Sequence, residues 1–212
     1  MADGYVGVLL AAGKGLRYHA AAGSSTADDG HKLLAPLPDG GCVAQASAQA
    51  LLRALPDTIA IVAEHPPALA VLLSDLGCQI VHVPDTPRGM GISLATAAQH
   101  LMDSRILGKE TDLLGCVVAL ADMPWLRADT LTDLLGHAAP DRIVVPVFNG
   151  RRGHPVVFGA QFLPELAELG GDTGARALLA RHGVLEIECD DIGILRDVDV
   201  PADLTPSRES VG

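Results

Sequence analysis

The sequence predicts an α/β fold, a three-layer α/β/α sandwich whose sheet is mostly parallel with one late antiparallel hairpin. Three observations carry this. Short unbroken apolar runs alternate with stretches of helical periodicity along most of the 212 residues. The first run, Val6 to Ala12, passes straight into the glycine-rich loop Gly13-Lys14-Gly15-Leu16-Arg17. The pair Asn149-Gly150 separates two later apolar runs, which is a strong hairpin signal.

Taken in order, the first strand is followed by a polar, small-residue stretch from Tyr18 to His31, whose composition suggests a mobile loop. Lys32 to Leu37 reads as extended, ending in a Pro- and Gly-rich turn. Val43 to Leu55 is Ala-rich with helical spacing and stops at Pro56-Asp57. Thr58–Ala63 is a strand. A helix over Pro67–Leu76 ends at Gly77, and Gln79–Val83 is the next strand. The loop from Pro84 to Gly91 feeds a helix over Ile92–Met102. Leu113–Ala121 is the most apolar strand, as suits a central position covered on both faces. A helix over Ala128–Ala138 precedes the strand Arg142–Phe148, whose hairpin partner is expected at His154–Phe158. Helices over Ala160–Leu169 and Thr173–His182, a strand at Val184–Cys189 and a turn at Pro201 complete the chain. Residues 1–205 read as one domain and 206–212 as a frayed tail.

Composition narrows the function. Hydrophobic content is 49% with 3% aromatic, so the core must be built from Ala, Val, Leu and Ile. A net charge of −11 with no basic tract argues against nucleic acid or an anionic membrane as partner. A few local cations still suffice for a small anion, because distant charges are screened beyond about 8 Å. Cys42, Cys78, Cys116 and Cys189 show no metal-type spacing and read as reduced core thiols. The first residues lack a basic n-region, and the first apolar run is too short to span a membrane; a cytoplasmic location is expected.

Several segments carry candidate chemistry. The loop Gly13 to Arg17 closes neither as a Walker A loop nor as a dinucleotide fingerprint. It offers backbone N–H groups and cations to a polyphosphate, or it is a tight turn with surface cations. Asp122, in Ala121-Asp122-Met123-Pro124, stands at the carboxyl end of the most apolar strand, where open α/β sheets bind ligands. It is a natural Mg²⁺ ligand; the alternative is a helix cap or a turn with Pro124. Asp197 and Asp199 share one side if their segment is extended, and could complete a metal site or lie in a solvated turn. His154, in Arg152-Gly153-His154-Pro155, is either functional or structural. Asp172 reads as a helix N-cap.

Seven segments in order, LLAAGKGLR, HKLLAPL, PRGMGISLATA, VALADMPWL, GRRGHPVVFG, GDTGARALL and GILRDVDVPADL, resemble the molybdenum cofactor cytidylyltransferase family within the MobA-like NTP transferases. The resemblance runs from Val6 to Leu204. It implies a nucleotide-diphospho-sugar transferase (glycosyltransferase-A) type of sheet, Mg²⁺, and transfer of CMP from CTP to the phosphate of molybdopterin with release of pyrophosphate. It implies a nucleotide site of Ala11, Ala12, Gly13, Lys14, Gly15, Arg17, Lys32, Gly89, Met90 and Ser93, with Arg17, Lys32 and Asp122 catalytic. Asp122, Asp199 and, as fallback, Asp197 would hold metal. Gly153, His154, Gly171, Asp172, Thr173 and Gly174 would face the pterin. A molybdoenzyme receiving the product is a further implied partner. Ala12 resembles the cytidylyltransferase form, where guanylyltransferases usually carry glycine. One departure is the fourteen residues between Arg17 and Lys32, more than the family normally has, which we read as a flap over bound nucleotide. GTP as donor, a sugar or polyol phosphate as acceptor, and a non-catalytic cofactor carrier are the rival readings.

Overall fold

The first strand, β1 (Tyr5–Ala11), is paired on both sides, which explains its unbroken apolar sequence. The structure is a computed structural model that describes residues 4–13, 15–22, 31–83, 89–103, 113–172 and 174–205. β1 pairs in parallel with β2 (Thr58–Val62) on one side and with β4 (Gly115–Leu120) on the other. β3 (Gln79–His82) extends the sheet beyond β2. The chain therefore runs outward from β1 and then returns to its other side. That reversal leaves a crevice at the carboxyl ends of β1 and β4.

Beyond β4 the sheet turns antiparallel. β7 (Val156–Gly159) lies between β4 and β5 (Ile143–Phe148), antiparallel to both. β8 (Leu185–Glu188) pairs in parallel with the far side of β5. The hairpin at Asn149-Gly150 is present, with φ of 51° and 74°, as its turn type requires. Its return strand differs from the expectation. It begins at once as the two-residue β6 (Arg151–Arg152), and β7 resumes with its register against β5 offset by two. Gly153-His154-Pro155 lies between them, where the return strand carries two residues more than β5, an irregularity that the alternation of apolar residues cannot announce.

Helices cover both faces. On one, α2 (Val43–Ala54), α3 (Pro67–Asp75) and α5 (Ala128–Gly136) pack on Leu9, Ala11, Ala60 and Val117. On the other, α4 (Met90–Met102), α6 (Leu163–Ala167) and α7 (Arg176–His182) pack on Val6, Val8, Ile59 and Val118. The period-2 alternation of β1 thus feeds two separate cores. The small side chains Ala44 and Ala48 let α2 lie close to the sheet.

Four further expectations are corrected. Leu16–Ala22 is a helix, α1, so the stretch after Arg17 starts ordered, and Tyr18 is only 7% exposed. Residues 23–30, the remainder of that stretch, lie outside the described residues, as do Pro84 to Arg88 and 206–212. Lys32–Leu34 is a 3-10 turn rather than extended, capped by His31 Nδ1 accepting from Leu33 N–H at 3.3 Å. The helix expected from Ala160 is a 3-10 turn followed by the short α6. α7 starts at Arg176, three residues late, so Asp172 does not cap it. Cys78 and Cys116 are buried, Cys42 and Cys189 half-buried, and all four are free thiols. Burial pushes the Cys116 thiol up to about 12 and Cys78 up to about 11, which leaves both protonated and unreactive.

Candidate active site

The parallel register of β1 and β4, with Leu10 opposite Leu120, brings the loops after both strands to one edge. Ala121 N–H still donates to Leu10 O at 3.1 Å, and Asp122 follows. A cleft of about 540 Å³ opens there. Its floor comes from Ala12, Gly13 and Gly15 after β1 and from Asp122 after β4. Its far wall comes from Gly89, Met90 and Ser93 at the start of α4. Arg17, Lys32, Asp172 and Asp199 close the remaining sides, and Tyr18 joins them.

Two cations and three carboxylates meet at one end. Lys32 Nζ lies 2.5 Å from Asp122 Oδ2 and 3.6 Å from Asp199 Oδ1. Arg17 Nη1 lies 2.7 Å from Asp199 Oδ2. Asp122, Asp197 and Asp199 each offer one oxygen, and these oxygens all lie within 4.8 Å of one another. Partial burial, with the charges of Asp122 and Asp199, holds the Asp197 carboxyl above the ordinary carboxylate value; its own backbone bond and Lys32 oppose this. Asp122 Oδ1 is buried with no hydrogen-bond partner. The capping alternative for Asp122 is excluded, because the residue flanking α5 is Arg127.

Asp197 and Asp199 reach the cluster on irregular backbone. Val198, fully buried between them, donates its N–H to Asp122 O at 2.9 Å. Two carboxylates hold the ends of this segment. Asp191, 4% exposed, accepts from Thr130 Oγ1 at 2.7 Å, Gly193 N at 2.9 Å and Arg127 N at 3.0 Å. Asp203 accepts from the backbone N–H of Asp199 at 2.9 Å and Val200 at 2.8 Å. Sequence reasoning missed both anchors, and also Tyr18. The signals open to it were an Asp two residues ahead of Gly193, an Asp three residues after Val200, and an aromatic beside the loop arginine.

The other site expectations divide. Ala11 ends β1 with its side chain in the core. Gly89 has φ of 143°, and a Cβ there would collide with Gly171 O, so α4 begins tightly against the 170–172 turn. Gly91 N–H donates to Gly171 O at 2.9 Å, which brings Asp172 to the cleft mouth. Gly174 lies against Met90, since a Cβ there would sit 3.2 Å from Met90 Sδ. Gly153 packs against Ile194 O rather than lining the cleft. His154 is outside the residues that line the cleft: its backbone N–H donates to Ile194 O at 2.9 Å, and its imidazole Nδ1 is buried without a partner. Burial lowers its imidazole below the ordinary value, against the charge of Asp122 and a bond to the Val118 backbone. Lys14 and Thr173 lie outside the described residues.

A crevice where the strand order reverses, a glycine loop and an acid–cation cluster together make a site suited to a phosphate-bearing ligand and a cation. The chain matches the family model for the MobA-like NTP transferase domain over residues 7–186, and it belongs to that family. It is 31% identical to the purine catabolism protein PucB of Bacillus subtilis over 131 residues, 60% of each chain. It is 24% identical to the molybdenum cofactor cytidylyltransferase of Escherichia coli over 130 residues, 61% of this chain and 62% of that one. The chain thus spans about 60% of the length of these curated relatives. Among solved structures it is similar to Rv0371c of Mycobacterium tuberculosis, at 27% identity and a TM-score of 0.74 over 96% of both chains. A structure of that protein is a complex with manganese. Among the described residues, no helix is long and apolar enough to cross a membrane.

Proposed function

We propose that this chain transfers CMP from CTP to the phosphate of molybdopterin, with Mg²⁺, releasing pyrophosphate. The observation that carries the reading is the meeting of Arg17, Lys32, Asp122, Asp197 and Asp199 at one end of the cleft floored by the glycine loop. The named activity of the Escherichia coli relative and the Cβ of Ala12 on the cleft floor support CTP over GTP.

The residues fit a hard divalent cation. Three carboxylates converge, and Asp122 keeps one buried oxygen free of hydrogen bonds. Asp122 and Asp199 would hold the ion, with Asp197 beside them. When bound, Mg²⁺ supplies positive charge to the triphosphate and polarises the phosphoryl group being transferred.

The chain's own groups do the rest. Backbone N–H groups around Gly13 and Gly15 hold the phosphates, and Lys32 and Arg17 neutralise them. Gly89, Met90 and Ser93 form the wall for the cytosine nucleoside, while Gly171, Asp172 and Gly174 face the pterin. A phosphate oxygen of the acceptor attacks the α-phosphorus of CTP. A new oxygen–phosphorus bond forms as the bond to the α,β-bridging oxygen breaks, and pyrophosphate leaves with that electron pair. The acceptor phosphate has a second pKa near ~6, so it attacks as the dianion and needs no general base. Catalysis is positioning and charge neutralisation.

The test is pyrophosphate release with Mg²⁺, each of the four NTPs, and molybdopterin or a polyol phosphate. Release with CTP and molybdopterin alone is expected. Release with GTP, or with the polyol phosphate, would reassign the substrate. Cofactor binding without nucleotide consumption would overturn the catalytic reading.

A further inference from the structure

Three oxygens of the acid cluster, Asp122 Oδ2 and both oxygens of Asp199, are already paired with cations of the chain, while Asp122 Oδ1 is not. Lys32 is 8% exposed, and its Nζ bridges Asp122 Oδ2 at 2.5 Å and Asp199 Oδ1 at 3.6 Å. Arg17 takes the other oxygen of Asp199, but its side chain is 80% exposed, so water and salt screen that pair. The Lys32 pair is screened far less, with side-chain exposures of 10% and 19%. The lysine is also built in. The 3-10 turn at Lys32–Leu34 fixes its backbone, and Gly15 packs over its stem, where a Cβ would be 3.1 Å from Cγ.

A divalent ion brought to this cluster, Asp122 Oδ1 included, meets the Lys32 ammonium in a poorly solvated place, where like charges repel strongly. A triphosphate changes this, because it offers Lys32 several anionic oxygens at once. We infer that Lys32 fills the cation position of the acid cluster in the ligand-free protein, so that divalent metal and nucleoside triphosphate bind cooperatively and the metal binds weakly alone. This rests on the metal and phosphate roles given under Proposed function. By linkage, each ligand strengthens the other by the same factor, and removing the lysine charge removes much of that factor.

The experiment follows Mn²⁺ binding by the electron paramagnetic resonance signal of the free ion, at constant ionic strength and without nucleotide. The wild type is compared with Lys32→Met and Lys32→Gln, and thermal unfolding checks that each is folded; either neutral variant suffices. The neutral variants are expected to bind Mn²⁺ tighter than wild type by roughly tenfold or more. Adding α,β-methylene-CTP is expected to tighten Mn²⁺ binding in the wild type and to do so far less in the variants. Equal or weaker Mn²⁺ binding by both folded variants would overturn the inference. Repeating the comparison with Asp122→Asn added separates the two levels. If the tightening is lost, the acids hold the metal as proposed. If it persists, Mn²⁺ sits elsewhere, and both the inference and the metal assignment fail.

Discussion

The two halves of the sheet deliver their site residues by different means. From β1 to β4, the groups that line the cleft follow regular elements. Gly13 and Gly15 come after β1, Asp122 after β4, and Gly89 and Met90 open α4. Parallel register alone aligns these ends. From β5 onward, His154 sits in a bulge, and Asp197 and Asp199 sit on irregular backbone between two 3-10 turns. Side-chain carboxylates hold that backbone: Asp191 at one end and Asp203 at the other. The difference teaches that half of the candidate site rests on the sheet, and half on a few polar bonds. Substitutions in the first half should therefore cost chemistry, and substitutions of anchors in the second should cost stability and chemistry together.

The largest effect is expected at Asp122. Asp122→Ala should lower turnover by at least about a hundredfold, roughly 3 kcal/mol of transition-state stabilisation, while the fold survives. Pyrophosphate release and thermal unfolding check both parts, and near-normal turnover would break the assignment. Next comes Asp191. Asp191→Ala leaves the Thr130 hydroxyl and two backbone N–H groups without their acceptor, at a cost of about 2–4 kcal/mol by denaturant unfolding. Activity should fall with it, whereas Asp191→Asn should recover part of both. A stable, active Asp191→Ala variant would show that the C-terminal segment holds itself in place.

Two smaller effects depend on pH. Burial depresses the His154 imidazole in the folded state, so its neutral form favours folding. That contribution is full above the unfolded value near ~6.5 and is lost as pH falls through the depressed folded value. The melting temperature of the wild type should thus drop more steeply below pH 6.5 than that of His154→Gln. Parallel pH curves would remove His154 from the account. Asp197 has the opposite sign. Its carboxyl is raised in the folded state, so its contribution is present below the unfolded value near ~3.9 and lost as pH rises through the folded value. At neutral pH its charge opposes folding, and Asp197→Asn should raise the melting temperature of the metal-free protein slightly. A lower melting temperature would mean that this charge is already compensated.

The same contrast governs how much could be read in advance. The strands β1, β2 and β4 are legible because each is a short apolar run between turn signals, and α2 because it is alanine-rich and its buried positions Val43, Ala44, Ser47, Ala48 and Leu51 recur three and four apart. Asp122 is legible because it follows the most apolar strand. The 3-10 turn at Lys32 is not legible, since Leu33, Leu34 and Ala35 suit a strand equally well. Asp172 looks like a cap because Asp before a helical run usually is one; the Gly171 carbonyl instead ties that turn to Gly91 of α4. The bulge at His154 escapes notice because a two-residue slip shows only in the paired register.

Local pattern alone determined the layered architecture, the hairpin turn and the acid at the central strand's end, because burial periodicity and turn stereochemistry act between near neighbours. The tertiary structure alone decided that Lys32 pairs with Asp122 and that Asp199 joins them from 77 residues further on. Those contacts follow from the relative placement of strand ends and from Val198 docking on Asp122, a long-range geometry that spacing along a chain does not encode.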